Sequence, residues 1–334
     1  MSLKGRTIRA LSSVLYHTRL LGPLASAAAR GRAWAGFPIL AFHRVNDDDD
    51  PFFPAVPTAL FAAQIAHIAR HYRVLTVEEL VERVRRGVAP SNALAITFDD
   101  GYRDNLTHAA PILAQHGLLS TIFLATGYIG TPEMPWFDRV ALAFKLTQRG
   151  DITLPGGQPL PLETEEDRLA VLERALEWFK SLPDDERRPA VERLVANLRP
   201  RALERSKRVM LTWEEVGALR GLGFSVGAHT VTHPILSRVT PKRAREEIQG
   251  SKSAIERALG VPVRAFAYPN GRTQDYSEAT VRLVEECGLT CAVTTRRGLN
   301  GPATPVFELR RGGPSEGHLP TFALKLAYYR LTGA

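Results

Sequence analysis

Two short segments hold the residues best suited to chemistry: Thr97-Phe98-Asp99-Asp100-Gly101-Tyr102 and His229-Thr230-Val231-Thr232-His233-Pro234. Together they supply two carboxylates and two imidazoles, each set following an apolar run that reads as a strand. A borderline divalent cation such as zinc accepts imidazole nitrogen and carboxylate oxygen, and a catalytic site keeps to about three protein ligands so that water or substrate can also bind. Two His and one Asp fill that quota, and the second carboxylate is then free to take a proton from metal-activated water. Residue chemistry alone leaves open which Asp does which. Gly101 permits a sharp turn after the acidic pair. In isolation, adjacent Asp residues also mark strand ends or helix caps, and a His-x-x-x-His pair also occurs on exposed helix faces. Here Gly227 and Ala228 before the first His and Pro234 after the second point to a turn or short helix following a strand.

The elements that must position these residues alternate along the chain. Apolar runs predict strands at Phe37–Phe42, Tyr72–Leu75, Ala93–Phe98, Thr121–Ala125, Phe224–Ala228, Ala265–Tyr268, Cys291–Thr294 and Val306–Leu309. Helical segments separate most of them. Thr76 with Glu79 and Thr212 with Glu215 read as capping boxes, and Thr240-Pro241 opens a helix that Gly260 closes. This rhythm predicts an α/β fold built on a parallel sheet, open or closed. His43, Asp99-Asp100, His229 and Tyr268-Pro269 all follow strands, which places them at the catalytic end of a barrel. The segment from about 137 to 209 breaks the rhythm, with helical spacing of Leu169, Leu172, Leu176 and Phe179 and of Val191, Leu194, Val195 and Leu198. It reads as an inserted helical pair, either packed on the barrel wall or acting as a lid. Trp136, just before it, is either a core residue or a platform for a sugar ring.

A family resemblance enters with a third segment, Phe266-Ala267-Tyr268-Pro269-Asn270-Gly271. The three segments, in this order and approximate spacing, resemble the motifs of the polysaccharide deacetylases, the NodB-homology or family 4 carbohydrate esterases. The likeness extends through Ile39–Val45, Trp213–Val216 and Ala292–Asn300, and spans about 36 to 311. It implies a distorted (β/α) barrel with fewer units than the regular eight. It implies Asp100, His229 and His233 as ligands of a divalent metal, zinc by preference, with Asp99 as general base. Backbone N–H groups around Tyr268, Pro269 and Asn270 would stabilise the oxyanion, giving acetate and a free amine on the sugar.

Two departures stand out. Many relatives place an Arg two residues before the Pro of the third motif, where this chain has Ala267; Arg311, after the expected strand at 306–309, is the candidate orienting residue. The family's late Leu-x-His, source of the general acid, is not recognisable; His43 is the candidate, and His318 a poorer one. The Phe-Ala-Tyr-Pro variant resembles a branch associated with exported-polysaccharide synthesis.

With 334 residues, 44% of them hydrophobic, the chain can fill a sizeable core. The expected organisation is a basic amphipathic segment over 1–35, a deacetylase barrel over 36–311 and a C-terminal segment over 312–334. The first contains Lys4, Arg6, Arg9, Arg19, Arg30 and Arg32 without an acidic residue, and Ile8, Leu11 and Leu15 share one helical face. It reads either as an interfacial helix or as one packed on the barrel. No apolar stretch there is long enough to span a bilayer, and His17 and Arg19 interrupt any secretory pattern. The expected location is therefore cytoplasmic or peripheral at the cytoplasmic membrane. The net charge of +8 suits an anionic membrane face; it does not suit nucleic acid, because the basic residues are dispersed and no recognition motif accompanies them. Cys287 and Cys291 read as buried free thiols.

The leading expectation is a metal-dependent N-deacetylase of a polysaccharide or lipid-linked glycan. The alternatives are an amidohydrolase acting on a small amide or ureide, and a non-catalytic glycan-binding protein on the same fold. An iron oxygenase also uses two His and a carboxylate, but its carboxylate lies close to the first His, whereas Asp100 does not.

Overall fold

The computed structural model describes residues 3–18, 36–201, 209–312 and 317–332. Residues 19–35 of the expected N-terminal segment and 202–208 of the expected insertion lie outside them. In chain order the elements begin with α1 (Leu3–His17), β1 (Ile39–Phe42), α2 (Thr58–His71), β2 (Arg73–Val74), α3 (Val77–Arg85) and β3 (Ala93–Phe98). A π turn at Asn105–Ala109 leads into α4 (Ala110–Gln115), followed by β4 (Ser120–Leu124) and α5 (Trp136–Leu146). A hairpin of β5 (Asp151–Thr153) and β6 (Pro159–Pro161) precedes α6 (Glu165–Ser181) and α7 (Asp184–Leu198). Then come α8 (Trp213–Gly221), β7 (Phe224–Ala228), α9 (Pro241–Leu259), β8 (Ala265–Ala267), α10 (Glu278–Glu286), β9 (Cys291–Val293) and α11 (Leu319–Thr332).

Strands β1, β3, β4, β7, β8 and β9 lie side by side in that order, with β2 paired to β3, and every pairing is parallel. The run expected to form a strand at Val306–Leu309 makes a turn; only Leu309 pairs with β9, through Val293, while Gly312 pairs with Leu40 of β1. The backbone from Leu309 to Gly312 thus links the last strand to the first.

Period-two alternation sorts the strand side chains. Leu94, Ile96 and Phe98 of β3 face the helices with Ile122, Leu124 and Phe266. Ala93 and Ala95 face the other way, in a cluster with Phe123, Ala265, Ala267 and Val293. That inner cluster is narrow, so small residues dominate it: a Cβ added at Gly227 would stand 2.4 Å from the Phe123 ring. Thr97 and Asp99 continue the Ala93–Ala95 face, so the register that buries alanines also aims Asp99 inward.

The capping boxes at Thr76 and Thr212 form, and Gly260 closes α9 in the left-handed conformation. The insertion is larger than a helical pair. α5, the hairpin, α6 and α7 enclose a second core around Phe144, Ile152, Val171, Phe179 and Leu194. The termini meet: Ser12 of α1 is buried against α11, its Oγ 3.2 Å from Thr321 Oγ1, and Tyr16 and Phe322 both contact His67 of α2. The face that packs is therefore centred on Ser12, a small residue that lets the helices approach, and Leu11 is 55% exposed. Among the described residues no helix is long and apolar enough to cross a membrane.

Candidate metal centre

Asp99 and Asp100 leave the end of β3 where the chain turns. Asp100 adopts φ +73° and Gly101 φ +92°, so the two carboxylates project in different directions. His229 follows β7 directly, then Thr230 at φ +65° and His233 at φ +54° fold the His-x-x-x-His segment into a turn. Asn270, after β8, has φ +56°. Left-handed conformations in non-glycine residues cost roughly 1–3 kcal/mol each and persist where surrounding structure imposes them. Four of the six described non-glycine residues with positive φ are gathered at this end of the barrel.

Three buried donor atoms converge. The Nε2 atoms of His229 and His233 each lie 3.4 Å from Asp100 Oδ1, and the three ligand atoms all fall within 4.8 Å of one another. Ligands about 2.1 Å from a tetrahedral ion stand roughly 3.4 Å apart, which the two Asp100–His distances match, so the cluster could hold a divalent ion. Among the described residues Asp100 Oδ1 has no hydrogen-bond partner despite its burial, as expected of an atom meant for an ion. His229 Nδ1 donates to the Ala267 carbonyl at 2.7 Å; a carbonyl can only accept, so that tautomer leaves the Nε2 lone pair for a metal. Burial pushes the His233 imidazole down to about 3, keeping it neutral.

Arg311 meets the other carboxylate. Its Nη1 and Nη2 donate to Asp99 Oδ1 and Oδ2, both at 2.7 Å, while Nε donates to Thr294 O at 3.0 Å and Nη1 also to Thr97 Oγ1 at 3.1 Å. Burial works against the Asp99 charge, but Arg311, then His229 and His43, outweigh it and hold the carboxyl below its ordinary value. His43, just past β1, is half-exposed with Nε2 3.9 Å from Asp99 Oδ2.

His43, Asp99, Asp100, His229 and His233 line a cavity of about 580 Å³ together with Tyr268, Asn270, Trp136 and Phe137, while Arg311 lies behind Asp99. Tyr268 stacks on Tyr276 at 4.5 Å and its N–H donates to Val293 O. Pro269 has no N–H, and the N–H of Asn270 donates to none of the described residues. Trp136 packs on the insertion core, with Arg187 4.5 Å from its ring, and also lines the cavity, with Nε1 donating to His233 O at 3.3 Å. Leu172, Leu176 and Lys180 of α6 form part of the same wall.

Three supports were not anticipated from the sequence. Glu247 of α9, fully buried, accepts from the N–H groups of Val231 and Thr232 at 2.7 and 2.8 Å and so braces the turn between the two His residues. Its signal was a carboxylate on the buried face of α9, among Ala244, Ile248 and Ser251. Asp104 ties down the chain after β1 by accepting from Arg44 Nε and Asn46 Nδ2, both at 2.9 Å, and Asn105 donates to the His43 carbonyl at 2.8 Å. Asp138 of α5 accepts from the Tyr102 hydroxyl at 2.8 Å, and burial pushes its carboxyl up to about 7 against that hydrogen bond.

A family model described as polysaccharide deacetylase matches residues 86–292. The protein YxkH of Bacillus subtilis (strain 168), named provisionally as a polysaccharide deacetylase, is 22% identical over 285 residues, covering 85% of this chain and 73% of that protein. Among solved structures, the Streptococcus pyogenes deacetylase PplD in complex with acetate is 20% identical with a TM-score of 0.60, covering 87% of this chain and 98% of that one. IcaB from Ammonifex degensii is 19% identical with a TM-score of 0.57, covering 87% and 97%. At such identities the structural likeness speaks for the fold.

Proposed function

The chain belongs to the polysaccharide deacetylase family, hydrolases acting on carbon–nitrogen bonds other than peptide bonds, and from that premise we propose that it removes N-acetyl groups from an amino sugar in a metal-dependent reaction. The substrate in this reading is a polysaccharide, of the exported kind, or a lipid-linked glycan. The observation that carries it is the convergence of Asp100, His229 and His233 at tetrahedral spacing beside a second carboxylate that Arg311 keeps ionised.

Asp100, His229 and His233 would hold the ion, zinc by their donor types. Bound there, a divalent metal supplies Lewis acidity toward the acetyl carbonyl and acidifies water. Asp99 takes the proton of the attacking water, its two oxygens oriented by the Arg311 fork. His43 donates a proton to the departing amine, without which an amide nitrogen leaves poorly. The Asn270 N–H faces the developing oxyanion. The Arg311 fork on Asp99 and the nearness of His43 to the same carboxylate support assigning them the two roles that the departures leave open, and with that turnover over a purely binding role.

A second reading, a small amide or ureide as substrate, draws on the insertion walling a cavity whose size lies within the roughly 300–1,000 Å³ usual for small ligands. The aromatic lining of Trp136, Phe137 and Tyr268 favours a sugar. For location, the reading keeps the cytoplasm or the surface of its membrane, supported by two terminal helices that carry basic residues and no acidic one.

Metal content measured together with acetate release over a panel of N-acetylated glycans and small amides tests the proposal. Bound metal with release from a glycan is expected. A fully metallated, folded protein inert toward every glycan contradicts it.

A further inference from the structure

We propose that Asp138 is a specificity-determining residue that accepts a hydrogen bond from a ring hydroxyl of the acetamido sugar. This rests on the deacetylase reading above and assigns a recognition role to the helical insertion.

Asp138 sits in the first turn of α5 and is 8% exposed, yet it lines the cavity shared by Asp99, Asp100, His229 and His233. Its Oδ2 is taken by the Tyr102 hydroxyl, and Oδ1 has no hydrogen-bond partner among the described residues. Among the described residues no cation pairs with it: Arg44, the nearby guanidinium, donates to Asp104 and lies 4.9 Å from the Tyr102 ring. Oδ1 is not among the atoms sealed from solvent, so the open side of this otherwise buried carboxyl faces the cavity, where a ligand hydroxyl can donate to it. The residue is 8% exposed, and the cavity is what it opens onto, so a sugar hydroxyl takes the place of cavity water there. Tyr102 follows the Asp99-Asp100-Gly101 turn directly, so the acceptor is held by the same segment that holds the acidic pair. Arg187, on α7, fixes Trp136 at the start of α5 and thereby the helix that presents Asp138. A hydroxyl is the matching donor, because the acetamido group is engaged at the metal end and the remaining polar groups of a pyranose are hydroxyls.

The experiment compares Asp138→Asn and Asp138→Ala with the unaltered, zinc-loaded protein on an N-acetylglucosamine oligomer and on p-nitrophenyl acetate, which has no sugar. The expected result is a KM for the oligomer raised about tenfold in Asp138→Ala, less in the isosteric Asn variant, with kcat reduced far less. The preference for oligomer over ester, taken as the ratio of kcat/KM values, falls by a similar factor. Unchanged oligomer kinetics in both variants, or proportional losses on both substrates, overturns the assignment while leaving deacetylation intact. An unaltered protein that cleaves the ester but no acetylated glycan overturns both.

Discussion

Arg311 grips Asp99 through two parallel 2.7 Å hydrogen bonds across 212 positions of sequence, with both side chains almost fully buried. The cation reaches the carboxylate from the backbone stretch that links β9 to β1. The third motif, where relatives keep an Arg, carries Ala267 inside the barrel. The small alanine belongs to the narrow inner cluster, and the guanidinium lies 5.6 Å from the Phe123 ring that fills it.

Replacing Arg311 by Met leaves Asp99 buried without its partner, which costs about 3–5 kcal/mol of stability. Arg311 depresses the Asp99 pKa, so its loss raises that pKa and moves the acid limb of the kcat/KM profile to higher pH. Urea unfolding and a pH–rate series measure both. Arg311→Lys is expected to restore part of the acid limb, since charge returns without the fork. An acid limb that stays in place in the Met variant contradicts the orienting role.

For His43, leaving-group chemistry separates an acid from a bystander. His43→Gln is expected to slow acetamide cleavage by about 10²–10⁴. An activated aryl ester, whose phenolate leaves unprotonated, is expected to lose much less. Equal losses on the two substrates contradict the assignment.

Much of this site was legible because short-range rules agree with the fold. The run Ala93–Phe98 ends in Asp-Asp-Gly, and the capping boxes at Thr76 and Thr212 need only four residues each. What escaped depends on distant partners or weak local signals. The hairpin at 151–161 has three-residue strands, one of them Pro-Leu-Pro, below any periodicity threshold. Val306–Leu309 has strand composition, but the pairing register belongs to Leu309 and Gly312 instead. In α1 the buried position is Ser12, because contact with α11 rewards a small side chain more than an apolar one. In sequence Glu247 is one of several charges on α9, and only the turn it supports sets it apart.

That turn yields a third expectation. Glu247→Ala removes three acceptor contacts, to Val231 N, Thr232 N and Thr232 Oγ1, from the segment carrying His229 and His233. Loss of such outer support typically weakens metal affinity about 10–100-fold. Competition with a zinc chelator measures it, and unaltered affinity in a folded variant contradicts the bracing role.

The terminal helices give a pH-dependent stability. Burial, then His71 and Arg70, push the His67 imidazole from 6.5 down to about 4. Between those values the unfolded chain binds a proton that the folded one does not, so stability falls as pH drops from 6.5 toward 4. The effect is on the order of 2 kcal/mol. His67→Gln is expected to flatten that part of the unfolding free energy against pH. Curves that remain parallel contradict the assignment.

The most direct test of the central claim is acetate release from an N-acetylglucosamine oligomer by zinc-loaded protein and its Asp99→Asn variant, with bound metal quantified in both. The account predicts one equivalent of metal in each, acetate from the unaltered protein, and at least a hundredfold slower release from the variant, about the smallest contribution expected of a general base. Undiminished release by a metal-replete Asp99→Asn protein would contradict it.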